Sequence, residues 1–313
     1  MKSKKIIRRK KILIIGGTGF IGFHLCKYFL KKKMLVFSIS LSKPKRMRRL
    51  KKVRYLIADI SNEKKLSIIK KFDFNYVINC GGYVDHYNKT NTYNSHYRGL
   101  RNIVEIVKKK GIKTFVQIGS STEYGNTKSP QKENFKCNPK TIYAKSKLQA
   151  TEFLLEENKS SKFPSVILRF YQVYGPHQDN NRFIAFIINS CIENKIFPCS
   201  MGKQFRDFLY VDDAVQAISR CLDNKKVYGK IINVGFGDAI NLKKIINSIR
   251  TNINKGYPKY GKIKMRKDEV MTIFPKITEA KKKLKWKPKI SFKNGLIKTI
   301  NFYKRNNLVY LKS

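Results

Sequence analysis

Short apolar runs, each closed by glycine or polar residues, recur along the first half of the chain. They are KILII at residues 11–15, MLVFSIS at 34–40, VRYLIAD at 53–59, YVINC at 76–80, TFVQIGS at 114–120 and SVILRF at 165–170. Runs of this length predict strands. Between most of them lie stretches of helical period. FIGFHLCKYFLKKK turns Phe20, Ile21, Leu25 and Phe29 to one face, and RGLRNIVEIVKKK repeats the pattern. Strands alternating with helices build βαβ units and a parallel sheet, with ligands bound beyond the carboxyl ends of the strands.

Chemistry-bearing residues do follow strands. The first strand runs into Gly16, Gly19 and Gly22, spaced GxxGxxG at the start of a helix. Such a turn frees φ, lets a pyrophosphate approach main-chain N–H groups, and packs helix close to strand. NCGG (79–82), GSSTEYG (119–125) and RFYQVYGP (169–176) leave three further strands. TIYAKSK (141–147) sets Tyr143 four residues before Lys147, on one face of a helix. A phenol with pKa near ~10 is a poor base at neutral pH, and a neighbouring cation favours the phenolate.

Composition bounds the picture. The 313 residues suffice for a large core, and 42% hydrophobic with 12% aromatic residues predict a folded chain. Sixty-eight Lys and Arg against 20 Asp and Glu give a net charge of +48, which makes nucleic acid or an anionic membrane a partner to weigh. The lysines are spread along the whole length, the distribution expected of solvated faces, so nucleic acid is not the expected partner. Cys26, Cys80, Cys137, Cys191, Cys199 and Cys221 form no CxxC pair, which predicts no metal site and reduced thiols in a cytoplasmic protein. The basic start and the apolar run after it imitate a secretion signal, but His24 and Lys27 interrupt the run and no small-residue cleavage site follows. No stretch of 18 apolar residues predicts a membrane span.

Taken in order, GGTGFIG (16–22), Asp59-Ile60, GSSTEYG, YAKSK, LRFYQVYGP, QFRDFLYVDD (204–213), NVG (233–235) and LKWKPKISFKNGL (284–296) resemble the extended short-chain dehydrogenase/reductases of the nucleotide-sugar epimerase and dehydratase family. The likeness runs over nearly the full length. It implies an α/β fold: a Rossmann-type doubly wound parallel sheet with a smaller C-terminal substrate-binding lobe. Residues 1–172 with about 208–232 would bind the dinucleotide, and 173–207 with 233–313 the substrate.

The resemblance implies hydride transfer at C4 of a nucleotide-diphosphate sugar through a 4-keto intermediate. Tyr143 would be the acid/base, Lys147 would support it and hold the nicotinamide ribose, and Ser120 would hydrogen-bond the reacting oxygen. The dinucleotide would lie against Gly16, Thr18, Gly19, Phe20, Ile21, Gly22, Asp59, Ile60, Cys80, Gly81 and Gly82. Residues 1–58 contain no Asp or Glu to take the adenine-ribose diol. Ser40, Ser42, Lys43 and Arg46 instead suit a 2′-phosphate, so NADP is expected, with NAD the alternative.

Ser121, Thr122, Gln172, Asn181, Arg182, Arg206 and Arg266 are the expected substrate contacts, the arginines for the diphosphate, with Asp207 orienting Arg206 or capping the next helix. The family's dehydratases carry an acidic pair directly after the catalytic hydroxyl residue. Here those positions are Ser121 and Thr122, with Glu123 one place late, which counts against a 4,6-dehydratase and leaves a 4-keto reductase, slightly favoured by NADP, or a 4-epimerase. Gln172 replaces the usual Asn. Ser95 or His96 stands where the family's helix amide is expected, which singles out His86 and His96. Family members often dimerise through the helices bearing Tyr143 and RGLRNIVEIV. The rival from another class is a non-catalytic nucleic-acid binder on the same fold.

Overall fold

The computed structural model describes residues 9–83, 88–265 and 269–310, the side chains of 307–310 excepted. His86 and Arg266 lie outside the described residues. Seven strands make the principal sheet: β1 (Lys11–Ile15), β2 (Leu35–Ser40), β3 (Arg54–Ile57), β4 (Tyr76–Asn79), β5 (Thr114–Ser120), β6 (Ser165–Phe170) and β7 (Lys230–Val234). Their order is β7-β6-β5-β4-β1-β2-β3. Pairing is parallel, with Ile12 opposite Val36 on one side and Tyr76 on the other. The order reverses between β1 and β4, and the ends of these strands open the crevice in which such sheets bind ligands.

The apolar runs become strands because they are buried on both faces. Ile12, Leu13 and Ile14 are fully buried, as are Val77, Ile78, Phe115, Val116, Val166 and Ile167. Helix α1 (Phe20–Lys31) follows β1, α2 (Gly99–Lys108) precedes β5, and α3 (Ile142–Ser161) precedes β6. Along α1, Leu25 and Phe29 are buried as the sequence predicts, Phe23 and Cys26 are buried beside them, and Phe20 and Ile21 are only half-buried.

By packing, the chain forms two compact units. One consists of the residues up to Ile118 with Thr141–Ile167 and Cys221–Lys230. The other consists of Gly119–Lys140, Leu168–Arg220 and the residues from Ile231 onward. In the second unit the short strand Gln172–Tyr174 pairs in parallel with Phe208–Tyr210. Phe205–Arg206 lies between Ile240–Asn241 and Thr272–Ile273. Residues 252–262 are not one continuous loop. A helix runs to Ile253 and Tyr257–Lys259 pairs with Ile196–Pro198, a three-residue strand containing proline and too short to show a period.

Helix α4 (Phe183–Ile192), helix α5 (Val211–Ser219) and the aromatic cluster of Tyr174, Phe208, Tyr210 and Phe292 centre this unit. Asp213 on α5 fastens the C-terminal segment. Its Oδ2 accepts the N–H groups of Lys289 at 3.0 Å and Ile290 at 2.8 Å, and its carbonyl accepts Trp286 Nε1 at 3.1 Å. This contact joins the YVDD and LKWKPKI segments in the fold. Asp213→Ala removes the acceptor of two part-buried N–H groups, and we expect urea denaturation to report a loss of about 1–2 kcal/mol, with Asp213→Asn losing less.

Candidate active site

In the first unit the glycine turn is fixed by backbone sterics. Gly16 has φ +77°, and a Cβ there would lie 2.7 Å from Gly81 Cα. A Cβ on Gly22 would lie 2.1 Å from Gly16 O. Gly19 is different: among the described residues, a Cβ there would meet only Gly16 O within 4 Å, at 3.2 Å. The turn is therefore closed behind and open in front. No side chain caps the start of α1 and no acid stands in its first turn, so the opening N–H groups and the positive helix end face the open side. These residues fit the pyrophosphate of a dinucleotide.

Around the turn, Ser40 Oγ accepts the Thr18 N–H at 3.4 Å. Ser42, Lys43 and Arg46 are exposed, whereas Arg48, 6% exposed, directs Nη1 to Thr18 O at 3.5 Å. The cation tucked against the glycine turn is thus Arg48, which sequence reasoning passed over. The 3₁₀ turn Arg46–Arg48 carries it inward while its neighbours point to water. Asp59 Oδ1 accepts both the N–H and the Oγ–H of Ser61 at 2.8 Å, and Ile60 is buried against Gly99. Asn62, not Asp59, caps the next helical turn.

Tyr143 and Lys147 sit in the first two turns of α3, whose N-terminus is capped by Thr141 Oγ1 accepting the Ala144 N–H at 3.2 Å. Lys147, 5% exposed, donates to Ile118 O on β5 at 2.7 Å, and its Nζ lies 5.9 Å from the Tyr143 ring centroid. Lys147 is near the NCGG turn as well. Burial pushes the Cys80 thiol up to about 12, with the Lys147 ammonium pulling the other way.

His96 stands in a π-helical turn, Asn94–Arg98, that leads into α2. Its ring meets Tyr143 edge to face at 5.0 Å, and its Nε2 lies 3.1 Å from Tyr83 O. A Cβ on Gly82 would lie 1.9 Å from the imidazole, so that glycine makes room for it. Of the two residues considered for the amide position, His96 faces the tyrosine, while Ser95 Oγ accepts the Tyr83 N–H at 2.9 Å. Gly16, Gly81, Gly82, Tyr143 and Lys147 are thereby brought together.

In the second unit Ser120 ends β5 and opens the turn Ser121–Tyr124. Glu123 is fully buried. Its Oε1 accepts the Ser120 N–H at 2.8 Å and its Oε2 accepts Arg169 Nε at 2.8 Å. Thr122 Oγ1 is 2.9 Å from Ser120 Oγ, and Ser121 is half-buried beside it. Arg206 is not oriented by Asp207. Its guanidinium pairs with Glu269 and donates to the carbonyls of Phe205 and Met271 at 2.9 and 3.1 Å.

Asp207 instead accepts the N–H groups of Phe236 at 2.9 Å and Gly237 at 2.7 Å, and burial pushes its carboxyl up to about 7 against the pull of those amides. Nor does it cap α5, whose N-cap position is Tyr210 and which has no side-chain cap. Arg182 is half-buried at the start of α4, and Gln172 and Asn181 are exposed. No His, Cys, Asp and Glu cluster suited to a metal occurs among the described residues, none of the six cysteines forms a disulfide, and no described helix is long and apolar enough to cross a membrane.

A doubly wound sheet with a glycine turn at its switch point and a Tyr/Lys pair on the helix that precedes β6 defines a dinucleotide-dependent α/β enzyme. The chain belongs to the NAD dependent epimerase/dehydratase family, whose model matches residues 12–235. It is 27% identical over 321 residues to the uncharacterized UDP-glucose epimerase YtcB of Bacillus subtilis, covering 97% of this chain and 98% of that one. It is 28% identical over 313 residues to the UDP-glucuronate 4-epimerase of Thermodesulfobacterium geofontis, covering 94% and 96%. The solved epimerase Mth375 of Methanothermobacter thermautotrophicus shares the fold at a TM-score of 0.91, with 21% identity over 97% of this chain and 95% of that one.

Two outcomes follow from this geometry. Gly22→Ala drives a methyl into backbone atoms, and we expect NADH fluorescence titration to show at least a roughly tenfold weaker complex together with a lower melting temperature. Because so little of the Cys80 thiol ionises, iodoacetamide at pH 8 should modify it roughly a thousandfold more slowly in the folded protein than in urea, as read by mass spectrometry.

Proposed function

We propose that the protein carries out oxidoreduction at C4 of a nucleotide-diphosphate sugar through a 4-keto intermediate, as a 4-epimerase or a 4-keto reductase. The observation that carries this reading is the Tyr143–Lys147 pair, with the ammonium buried and anchored on β5 and the phenol packed by His96. Tyr143 takes the C4 hydroxyl proton on oxidation and returns it on reduction. The fixed ammonium of Lys147 favours the phenolate that this requires. Ser120 hydrogen-bonds the reacting sugar oxygen. A nicotinamide dinucleotide, held by the Gly16–Gly22 turn, supplies the hydride acceptor and donor. Arg206 and Arg182 are the chain's candidates for the diphosphate, and a diphosphate on Arg206 would exchange for the Glu269 carboxylate.

The state of Glu123 disfavours a 4,6-dehydratase. Both its oxygens accept from buried donors, so the carboxyl is committed to holding the turn rather than to meeting a sugar. For the cofactor we propose NADP, with NAD as the alternative. Support comes from the absence of any acid before Asp59 and from Arg48 and Ser40 beside Thr18. A homodimer through α2 and α3 and a cytoplasmic location complete the proposal. The burial that keeps the cysteine thiols protonated fits a reducing compartment.

The test is a panel of UDP-, GDP-, CDP- and dTDP-sugars, including 4-keto forms, with each nicotinamide cofactor, scored by hydride change and product stereochemistry. Tyr143→Phe should lower turnover at least about 100-fold while cofactor affinity stays within about twofold. Arg48→Ala should weaken NADP about tenfold or more and spare NAD. Persisting turnover in Tyr143→Phe would refute the catalytic assignment. The charge of +48 favours a second reading, nucleic-acid binding: RNA affinity that collapses between low and moderate salt, in a protein that takes up no dinucleotide, would put it first.

A further inference from the structure

The turn after β5 holds more polar machinery than a strand end needs. We propose that it is a positioning device for Ser120, in which Glu123, clamped by Arg169, fixes the Ser120 backbone while Thr122 drives the Ser120 hydroxyl to act as a donor. The inference rests on the reading of Ser120 as the hydroxyl that meets the reacting sugar oxygen.

Glu123 and Arg169 are 0% and 2% exposed. An exposed glutamate would serve equally well in a capping box, and burying the ion pair costs desolvation that only good geometry offsets. The carboxylate is bonded at both oxygens, whereas Arg169 Nη1 is buried without a hydrogen-bond partner among the described residues. Beyond its 2.8 Å bond to Glu123, the guanidinium lies 4.5 Å from the Tyr124 ring centroid. Tyr124 Oη donates to Asn233 Oδ1 at 2.7 Å, and Asn233 Nδ2 donates to Gln131 O at 3.0 Å. Each link is buried, so the carboxylate cannot swing and the Ser120 amide is held on a rigid frame. Thr122 acts on the side chain. Its N–H donates to Ser120 Oγ at 3.2 Å, and its hydroxyl lies 2.9 Å from the same oxygen. A serine oxygen has two lone pairs and one proton. Either hydroxyl can be the donor in that pair; when Thr122 donates, both lone pairs of Ser120 are taken and its proton is left to point outward. Two incoming donors also strengthen that outgoing bond. A sugar alcohol and the ketone derived from it both present an oxygen able to accept it, so one fixed donor serves both directions of the reaction.

The test compares Thr122→Val, Thr122→Ser, Glu123→Gln and Ser120→Ala on the nucleotide sugar turned over by the parent enzyme. Thr122→Val should lower kcat about tenfold with KM within about twofold and the melting temperature unchanged, and Thr122→Ser should recover to within about twofold of the parent. Glu123→Gln places an amide against the Arg169 N–H and should lower both kcat and the melting temperature. Parental kcat in Thr122→Val, or a Thr122→Ser as slow as the valine variant, would overturn the hydroxyl's role. An unchanged Glu123→Gln would overturn the anchor's. If Glu123→Gln does not fold, the Thr122 pair decides alone. If Ser120→Ala slows turnover while Thr122→Val does not, the inference fails and the functional reading stands. If Ser120→Ala is as fast as the parent, the reading of Ser120 fails and the inference with it.

Discussion

Everything in the dinucleotide crevice depends on two strands of main chain approaching more closely than any side chain permits. Gly16 leaves β1 with its α-carbon turned toward the main chain of Gly81 beyond β4, and the missing Cβ on Gly16 is what allows it. The same economy recurs at Gly22 against Gly16 and at Gly82 against His96. Sterics at these three points bring the helix start and the phenol to one end of the sheet. The chemistry of the site is a consequence of that backbone approach, because N–H groups and an anchored ammonium are useful only where their geometry does not relax.

Charge is organised by scarcity. A chain with 68 basic residues covers its surface with Lys and Arg, and the three acids it buries, Glu123, Asp207 and Asp213, serve as acceptors for main-chain N–H groups, as does the half-buried Glu133. Glu123 receives Ser120, Asp207 receives Phe236 and Gly237, Asp213 receives Lys289 and Ile290, and Glu133 receives Asn233 at 2.9 Å. A buried carboxylate can satisfy several amides at once, which neutral side chains of the same size do not. The basic excess is therefore a property of the exterior, and the interior follows the ordinary rule that buried charge is paired or bonded.

The strands were legible because central parallel strands are apolar on both faces, so their runs stand out without any period to decode. The sixth run, SVILRF, coincides with β6, while KIINV, at the edge of the sheet, is recognised only once its neighbour is known. The glycine turn and the Tyr143–Lys147 pair were legible for a similar reason: their meaning lies in spacing within a few residues. Arg48 and Glu123 were not. Their roles depend on Thr18, thirty positions away, and on Arg169, forty-six positions away, and nothing local distinguishes an inward arginine from its outward neighbours. Asp207 shows the same limit, since a carboxylate beside an arginine in sequence bonds main chain across the unit instead.

Neither compact unit is a continuous stretch of chain. The first is completed only by Cys221–Lys230, after two of the second unit's three segments have been interposed between its parts. A gene fragment ending before those residues cannot yield the first unit whole, and a ribosome must deliver more than two-thirds of the polypeptide before that unit can close. Vectorial synthesis thus leaves the early strands waiting on late sequence, and a chaperone that shields apolar β-segments would find its substrate in the nascent chain.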